Sequence, residues 1–303
     1  MVAFSSKSTK HYSVRSISFP ARPHPSTIRM EEELNKLKAW QGGSSSNAET
    51  FCTGLLGLAE LYTCIDDLLN SRFTQQALAQ HHHEKWDNEL LDCSLKHLDL
   101  CGKTRDAVLS MKQSARELQS ALRRSKGGEL SIESNISTYI RARKTMKKEI
   151  ANCLASLKQM DYIFSDFPKL EQNLHLFVVA GLLREASLIT ASIFHSLLLF
   201  LAPSPLKAKP SKWSLVTKLV KKGLTTAYEE HQNMNELERV DVAVSNLLLQ
   251  SSRDEDCEEE RIQSAQVKLE CLDAVFGGFE DALDCLFKSL IHTRVSLLNI
   301  LSH

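Results

Sequence analysis

A chain of 303 residues with 43% hydrophobic and 24% charged residues is long enough to bury a substantial core and ordinary enough in composition to be globular. Its 37 basic and 37 acidic residues cancel, so no global field recruits nucleic acid, and only 11 Gly and 7 Pro argue against a turn-rich all-β fold. The eight cysteines form no CxxC pair and follow no apolar signal segment, so they are expected to be reduced thiols of an intracellular protein, mostly small core hydrophobes.

Residues 1–30 carry Lys7, Lys10, Arg15, Arg22 and Arg29 but no acid before Glu31, with serines, Pro20, Pro23 and Pro25 among them. Too little apolar surface is present to fold, so residues 1–26 are expected to be a disordered tail and residues 27–303 a helical domain. A Ser- and Arg-rich, acid-poor start also suits an organellar transit peptide, but no regular amphipathic helix runs through it. Within the tail, RSISFP matches the RSxSxP pattern bound by 14-3-3 proteins when its second serine is phosphorylated. The candidate docking residues are Arg15, Ser16, Ser18 and Pro20. Phosphate on Ser18 would add roughly two negative charges for an arginine cluster to grip. The competing reading is a chance match in a Ser/Arg-rich stretch.

From Thr27 the pattern turns helical, with Thr27 as a cap, Glu31 to Glu33 near the positive end, then Leu34, Leu37 and Trp40. Gly42 to Ser46 is a break, and a helix over about 49–70 places Phe51, Leu55, Leu58, Leu61, Ile65 and Leu68 on one face. A long helix over 85–124 carries the stripe Trp86, Leu90, Cys93, His97, Leu100, Ala107, Met111 and Leu118, and stops before Gly127-Gly128. The next, over 131–164, sets Ile136, Tyr139, Ile150, Leu154 and Leu157 on one side and Arg141, Arg143, Lys144, Lys147 and Lys148 on the other.

Residues 174–202 are the most apolar stretch and exceed the roughly 20 residues that cross a bilayer. Arg184, Glu185 and His195 interrupt it, and each central charge costs roughly 2.5–3.5 kcal/mol on insertion, so a bundle core is the favoured setting over lipid. A basic connector, 203–211, follows. Beyond it Trp213, Val216 and Leu224 share a helical face while Lys212, Lys218, Lys221 and Lys222 supply charge. Lys212, Trp213, Lys218, Lys221 and Lys222 are therefore a candidate surface for anionic lipid or a partner's groove. The alternative is a solvated connector whose apolar face completes the core. RDEDCEEER (253–261) reads as an acidic loop and helix start.

At the C-terminus, Ile262, Ala265, Leu269, Leu272, Phe276, Phe279, Leu283, Leu286, Leu290, Thr293, Leu297 and Ile300 alternate by three and four. One helix through them extends about 58 Å at roughly 1.5 Å per residue. Val275, Phe287, Ile291, Val295, Leu298 and Leu301 widen the stripe, which favours a multi-helix bundle over a two-stranded coiled coil and leaves self-association through this helix open. Gly277-Gly278 is a place for a kink.

Chemistry-bearing motifs are scarce. Cys93, His97 and Cys101 share a helical face near His81 to His83, but a zinc knuckle is missing, so buried core residues are expected and no metal site is assigned. Gly102-Lys103-Thr104 resembles the end of a phosphate loop, yet His97 stands where its first glycine belongs. No nucleophile elbow, HExxH or dinucleotide fingerprint occurs, so no catalytic residue or cofactor is nominated.

Several stretches together resemble the plant-specific BYPASS-like family: RSISFPARPHPS (15–26), TQQALAQH (74–81), EKWDNELLDCSLKHLDLC (84–101), ALRR (121–124), KWSLVTKLV (212–220) and LFKSLIHTRVSLLNILSH (286–303). The resemblance covers essentially the whole chain and implies a role in root and shoot development without a known enzymatic reaction. Together these readings give an all-α, antiparallel bundle of five to seven long helices. They make it a non-enzymatic regulatory protein working through unidentified protein partners, with peripheral membrane association through the Trp213 helix and 174–202 as the alternative. The expected location is cytoplasmic, with membrane or plastid association left open.

Overall fold

The computed structural model describes residues 25–41, 47–80, 84–124, 132–160, 174–202, 234–249 and 255–301. Among them are eight α-helices and no strand: α1 Pro25–Gln41, α2 Ala48–Leu69, α3 Arg72–Gln80, α4 Glu84–Arg124, α5 Ile132–Met160, α6 Leu174–Leu201, α7 Glu236–Leu249 and α8 Glu255–Leu301. The all-α bundle is as expected, but the helix number exceeds five to seven. The additional short helix α3 escapes periodicity because it buries only Thr74, Ala77 and Leu78. Its start is marked instead by a break at Asn70, whose backbone N–H and side-chain amide both return to the Asp66 carbonyl.

Helix α1 begins at Pro25, two residues before the predicted cap, and Thr27 is buried inside its first turn. Proline at a first helical position has its φ already set and loses no hydrogen bond, which moves the start upstream. Helix α2 opens as capping chemistry requires: Asn47 is extended and its side-chain oxygen accepts from the Thr50 N–H at 2.8 Å.

Helix α8 is the spine. Its 47 residues reach about 70 Å and it packs on α2, α4, α7 and α3. Ala265, Leu269, Leu272, Phe276, Phe279, Leu283, Leu286, Leu290, Thr293 and Leu297 are buried, whereas Ile291, Val295 and Leu298, expected to widen the stripe, are exposed. Helix α4 runs antiparallel to it, as the pairs Arg116–Asp273, Lys112–Glu280 and Arg105–Asp284 show at 2.6, 2.6 and 3.2 Å. Helix α2 runs parallel to α8 on another side, since Cys52 lies at Gly278 and Thr293 donates to the Tyr62 carbonyl at 3.1 Å. Helix α1 closes over α2 and α6, and α5 over α4 and α6.

Gly54 of α2 and Gly278 of α8 set spacing between neighbours. Helix α8 continues through Gly277-Gly278, and a Cβ on Gly278 would stand 3.1 Å from Cys52 Sγ, so glycine there lets α2 approach closely. Gly54 is tighter: a Cβ would lie 2.7 Å from the Trp40 ring, whose Nε1–H donates to the Thr50 carbonyl at 3.0 Å. Gly54→Ala should therefore cost about 1–3 kcal/mol from overpacking, offset in part by roughly 1 kcal/mol of helix propensity. A lower melting temperature with a shifted tryptophan emission is the expected reading, and an unchanged melt would refute it.

Candidate functional site

The apolar stripes of α2, α4 and α6 each carry a few polar groups, and folding brings them together. His97 on α4 sits at the centre, 3% exposed, with Tyr62 of α2, Ser187 and Thr190 of α6 and Cys93 one turn away. Tyr62 Oη lies 3.0 Å from His97 Nδ1 and 3.2 Å from Thr190 Oγ1, and Thr190 Oγ1 donates to the Ala186 carbonyl at 2.8 Å. Ser187 Oγ lies 3.4 Å from both His97 Nε2 and Cys93 Sγ.

One proton arrangement satisfies all of these contacts. Thr190 has spent its hydrogen on Ala186, so it accepts from Tyr62 O–H; Tyr62 then accepts from His97 Nδ1–H. His97 Nε2 is left to accept from Ser187 O–H, and Ser187 accepts from the Cys93 thiol. His97 is thus a neutral imidazole with its proton on Nδ1.

Burial dominates its electrostatics. The His97 pKa is pushed down to about 4 and that of Cys93 up to about 11, in each case chiefly by desolvation. A histidine–cysteine–serine constellation of this kind is poised neither as base nor as nucleophile at neutral pH. All of its polar groups are satisfied only when the three helices meet in this one register.

The depressed His97 pKa also sets a pH dependence. Between about 6.5 and about 4 the unfolded chain binds a proton that the folded one refuses, so stability present above pH 6.5 is lost as pH falls. From pH 7 to 5 this amounts to about 2 kcal/mol. His97→Gln should remove that share of the acid sensitivity in urea melts at the two pH values, whereas identical slopes for both proteins would exclude His97 as its source.

A second polar centre lies where α5, α6 and α7 meet. Arg143 is 7% exposed; its Nε donates to Asp241 Oδ2 at 2.9 Å and its Nη1 to the Leu201 carbonyl at 2.9 Å. Tyr139 O–H donates to the other oxygen of Asp241 at 3.0 Å. Arg143 Nη2 is buried with no hydrogen-bond partner. Burial raises the Asp241 pKa although Arg143 beside it acts the other way. Asn235 caps α7 reciprocally with Glu238 and donates to the Phe200 carbonyl at 2.9 Å. The last carbonyls of α6 are thus held from both α5 and the start of α7.

This corrects the placement of Arg143 on the side opposite Ile136 and Tyr139. Its position belongs to the buried series Ile136, Tyr139, Met146, Ile150, Cys153 and Leu157, spaced by three and four, and that series was the available signal. The expected basic-face positions Arg141, Lys144, Lys147 and Lys148 are exposed.

Of the thiols, Cys64, Cys93, Cys101 and Cys153 are buried as expected, whereas Cys271 and Cys285 are exposed on α8. Gly102, Lys103 and Thr104 lie within α4, where Thr104 donates to the Leu100 carbonyl at 2.8 Å, so they form no phosphate loop. Among the described residues no group of three or more His, Cys, Asp or Glu could hold a metal. Arg15, Ser16, Ser18 and Pro20, the tract His81 to His83, and Lys212, Trp213, Lys218, Lys221 and Lys222 all lie outside the described residues.

A family model described as Protein BPS1 matches residues 54–300. The chain belongs to the BPS1 family. The BYPASS-like resemblance seen in the sequence is thereby supported. No curated protein and no solved structure matches the chain. The BPS1 match starts at Gly54 in α2 and ends at Ile300 in α8, so it contains both polar centres. Two of the stretches that carried the resemblance touch in the fold. Arg294 of TRVSLLNIL donates at 2.7 Å to the Leu91 carbonyl and to Ser94 Oγ in EKWDNELLDCSLKHLDLC. On its α2 side the same BPS1 segment places Ser296 Oγ 2.5 Å from Asp66 Oδ1.

Proposed function

We propose that this BPS1-family protein is a non-enzymatic regulator of plant root and shoot development that works by binding protein partners in the cytoplasm. The observation that carries the reading is the family match across residues 54–300, which points to a developmental regulator. The sealed His97 cluster supports the non-enzymatic part, because its thiol and imidazole are neutral and closed to substrate. Phosphorylated Ser18 is the proposed docking point for a 14-3-3 protein.

Complementation tests it. In a plant lacking the protein, the double variant Cys93→Ala/Ser187→Ala, provided it accumulates as a folded chain, should restore root and shoot growth as well as the native protein. Failure of a folded double variant would mean that these groups do chemistry, and the non-enzymatic reading would be lost. Phosphorylated peptide 12–24 should bind a 14-3-3 protein, and the unphosphorylated peptide should not; equal binding removes that partner.

A second reading is peripheral membrane association through Lys212, Trp213, Lys218, Lys221 and Lys222 together with α6. It is favoured by α6 itself, long and apolar enough to cross a membrane, with mean hydropathy 1.7 in its most apolar window. More than half of that window is packed inside the bundle, which favours the first reading. Co-sedimentation with anionic vesicles that is lost on replacing the five residues by Ser or Glu would support the second.

A further inference from the structure

We propose that the basic flank of α5 is a docking surface for an acidic helical segment of a partner protein. It rests on the partner binding inferred above and gives that binding a place and a chemistry. Arg141, Lys144, Lys147 and Lys148 are all exposed. At roughly 3.6 residues per turn they fall within about a third of the helix circumference and span about 10 Å along its axis. None of the four has an acid three or four positions away in α5, and no ion pair joins any of them to another described residue.

The row is unfavourable for the chain by itself. Arg141 with Lys144, and Lys144 with Lys147 and Lys148, are like charges at spacings of three and four, which destabilise a helix. The bundle neutralises comparable bases in other places: Arg29 bridges Glu60 and Asp67, Lys38 meets Glu185, and Arg116 meets Asp273. In a chain whose basic and acidic residues balance, this row is left open to carboxylates from outside. An acidic helix supplies them, because its residues three and four apart stand about 5–6 Å from each other, the same repeat as the row.

Two features separate such a segment from a bilayer or a nucleic acid. Beside the row, between α4 and α5, lies an open groove of about 280 Å³ whose lining includes Asp106, Glu149, Thr145 and Met146. A broad anionic surface laid on α5 would meet those two carboxylates as well, whereas a single helix fits on the row alone. Among the described residues no large apolar side chain of α5 is exposed. The flank therefore offers no anchor for lipid and no aromatic platform for unpaired bases.

The probe is a fluorescent helical peptide with Glu at every third and fourth position, set against the same peptide with Gln. The full chain should bind the Glu peptide, more weakly as salt rises, and should ignore the Gln peptide. Arg141→Gln/Lys144→Gln/Lys148→Gln should weaken binding about tenfold or more, whereas replacing Lys212, Lys218, Lys221 and Lys222 by Ser should leave it unchanged. Lys144→Glu keeps the result clear of misfolding. It sets an acid beside Arg141, Lys147 and Lys148, so its melting temperature should equal or exceed that of the native chain while peptide binding is lost. A Glu peptide that fails to bind, or that binds every variant alike, overturns the proposal. Binding of phosphatidylserine vesicles or duplex DNA that Lys144→Glu abolishes, in a chain that ignores the peptide, overturns it too and assigns the row to that ligand. Partner binding as a whole fails separately, if the native chain retains no plant protein at all, whatever the peptide does.

Discussion

Arg143→Met is expected to destabilise the protein by about 3–5 kcal/mol, the cost of leaving one member of a buried ion pair without its partner. Asp241 would keep only the Tyr139 hydroxyl, and the Leu201 carbonyl at the end of α6 would lose its donor. Because the loss is of compensation rather than of contact area, Arg143→Met/Asp241→Asn should recover a large part of it. The pH response gives a second check. Asp241 already has a raised pKa, and removing Arg143 raises it further. A carboxyl whose folded pKa exceeds its unfolded value penalises folding above that pKa and is relieved as pH falls. The deficit of the single variant against the native chain should therefore be smaller at pH 5 than at pH 7. Urea melts of the three proteins at both pH values measure it. A single variant within about 1 kcal/mol of the native protein would mean that Arg143 is ornamental to the fold, well below the buried-pair range.

Phe279→Ala carries a comparable effect by a different route. Phe279 is fully buried at the middle of α8, edge-on to Phe200 of α6 with ring centroids 6.0 Å apart, and Phe200 in turn meets Phe51 of α2 at 5.1 Å. Truncation removes one ring of this three-helix cluster and leaves a cavity, for which about 3–5 kcal/mol is typical, a large share of the roughly 5–15 kcal/mol that holds a domain together. Leu286→Ala, also fully buried, should cost about 2–5 kcal/mol, whereas exposed Lys288→Ala should stay within about 0.5 kcal/mol. Deleting residues 291–303 should leave the protein insoluble, because Thr293 and Leu297 would no longer cover their neighbours. A soluble deletion variant with a cooperative melt would instead make this end of α8 an exposed docking helix. Ile291, Val295 and Leu298 are already 38, 49 and 41% exposed there, so solubility after deletion is the outcome to watch.

The three–four series of α8 was legible in sequence, though not its width, as were the stripes of α2 and α4, because the 3.6-residue period of a helix is a local property that a buried face must obey. The family was legible for a similar reason, since its stretches are contiguous runs of residues. Local spacing could not show what each polar residue inside a stripe meets. His97 could be recognised as a core histidine on α4, but its partners Tyr62 and Ser187 come from α2 and α6, 35 and 90 positions away. Arg143 was grouped with Arg141, Lys144, Lys147 and Lys148 on the side opposite Ile136 and Tyr139, and a charge is costly to bury unpaired. Only the fold brings Asp241, 98 positions on, to its side and reverses that cost. Helix direction belongs to the same class. No pattern within α8 could tell that α2 lies parallel to it and α4 antiparallel, because a helical stripe reads alike in either direction. Contacts such as Cys52 on Gly278 and Arg116 on Asp273 are what set the two orientations apart.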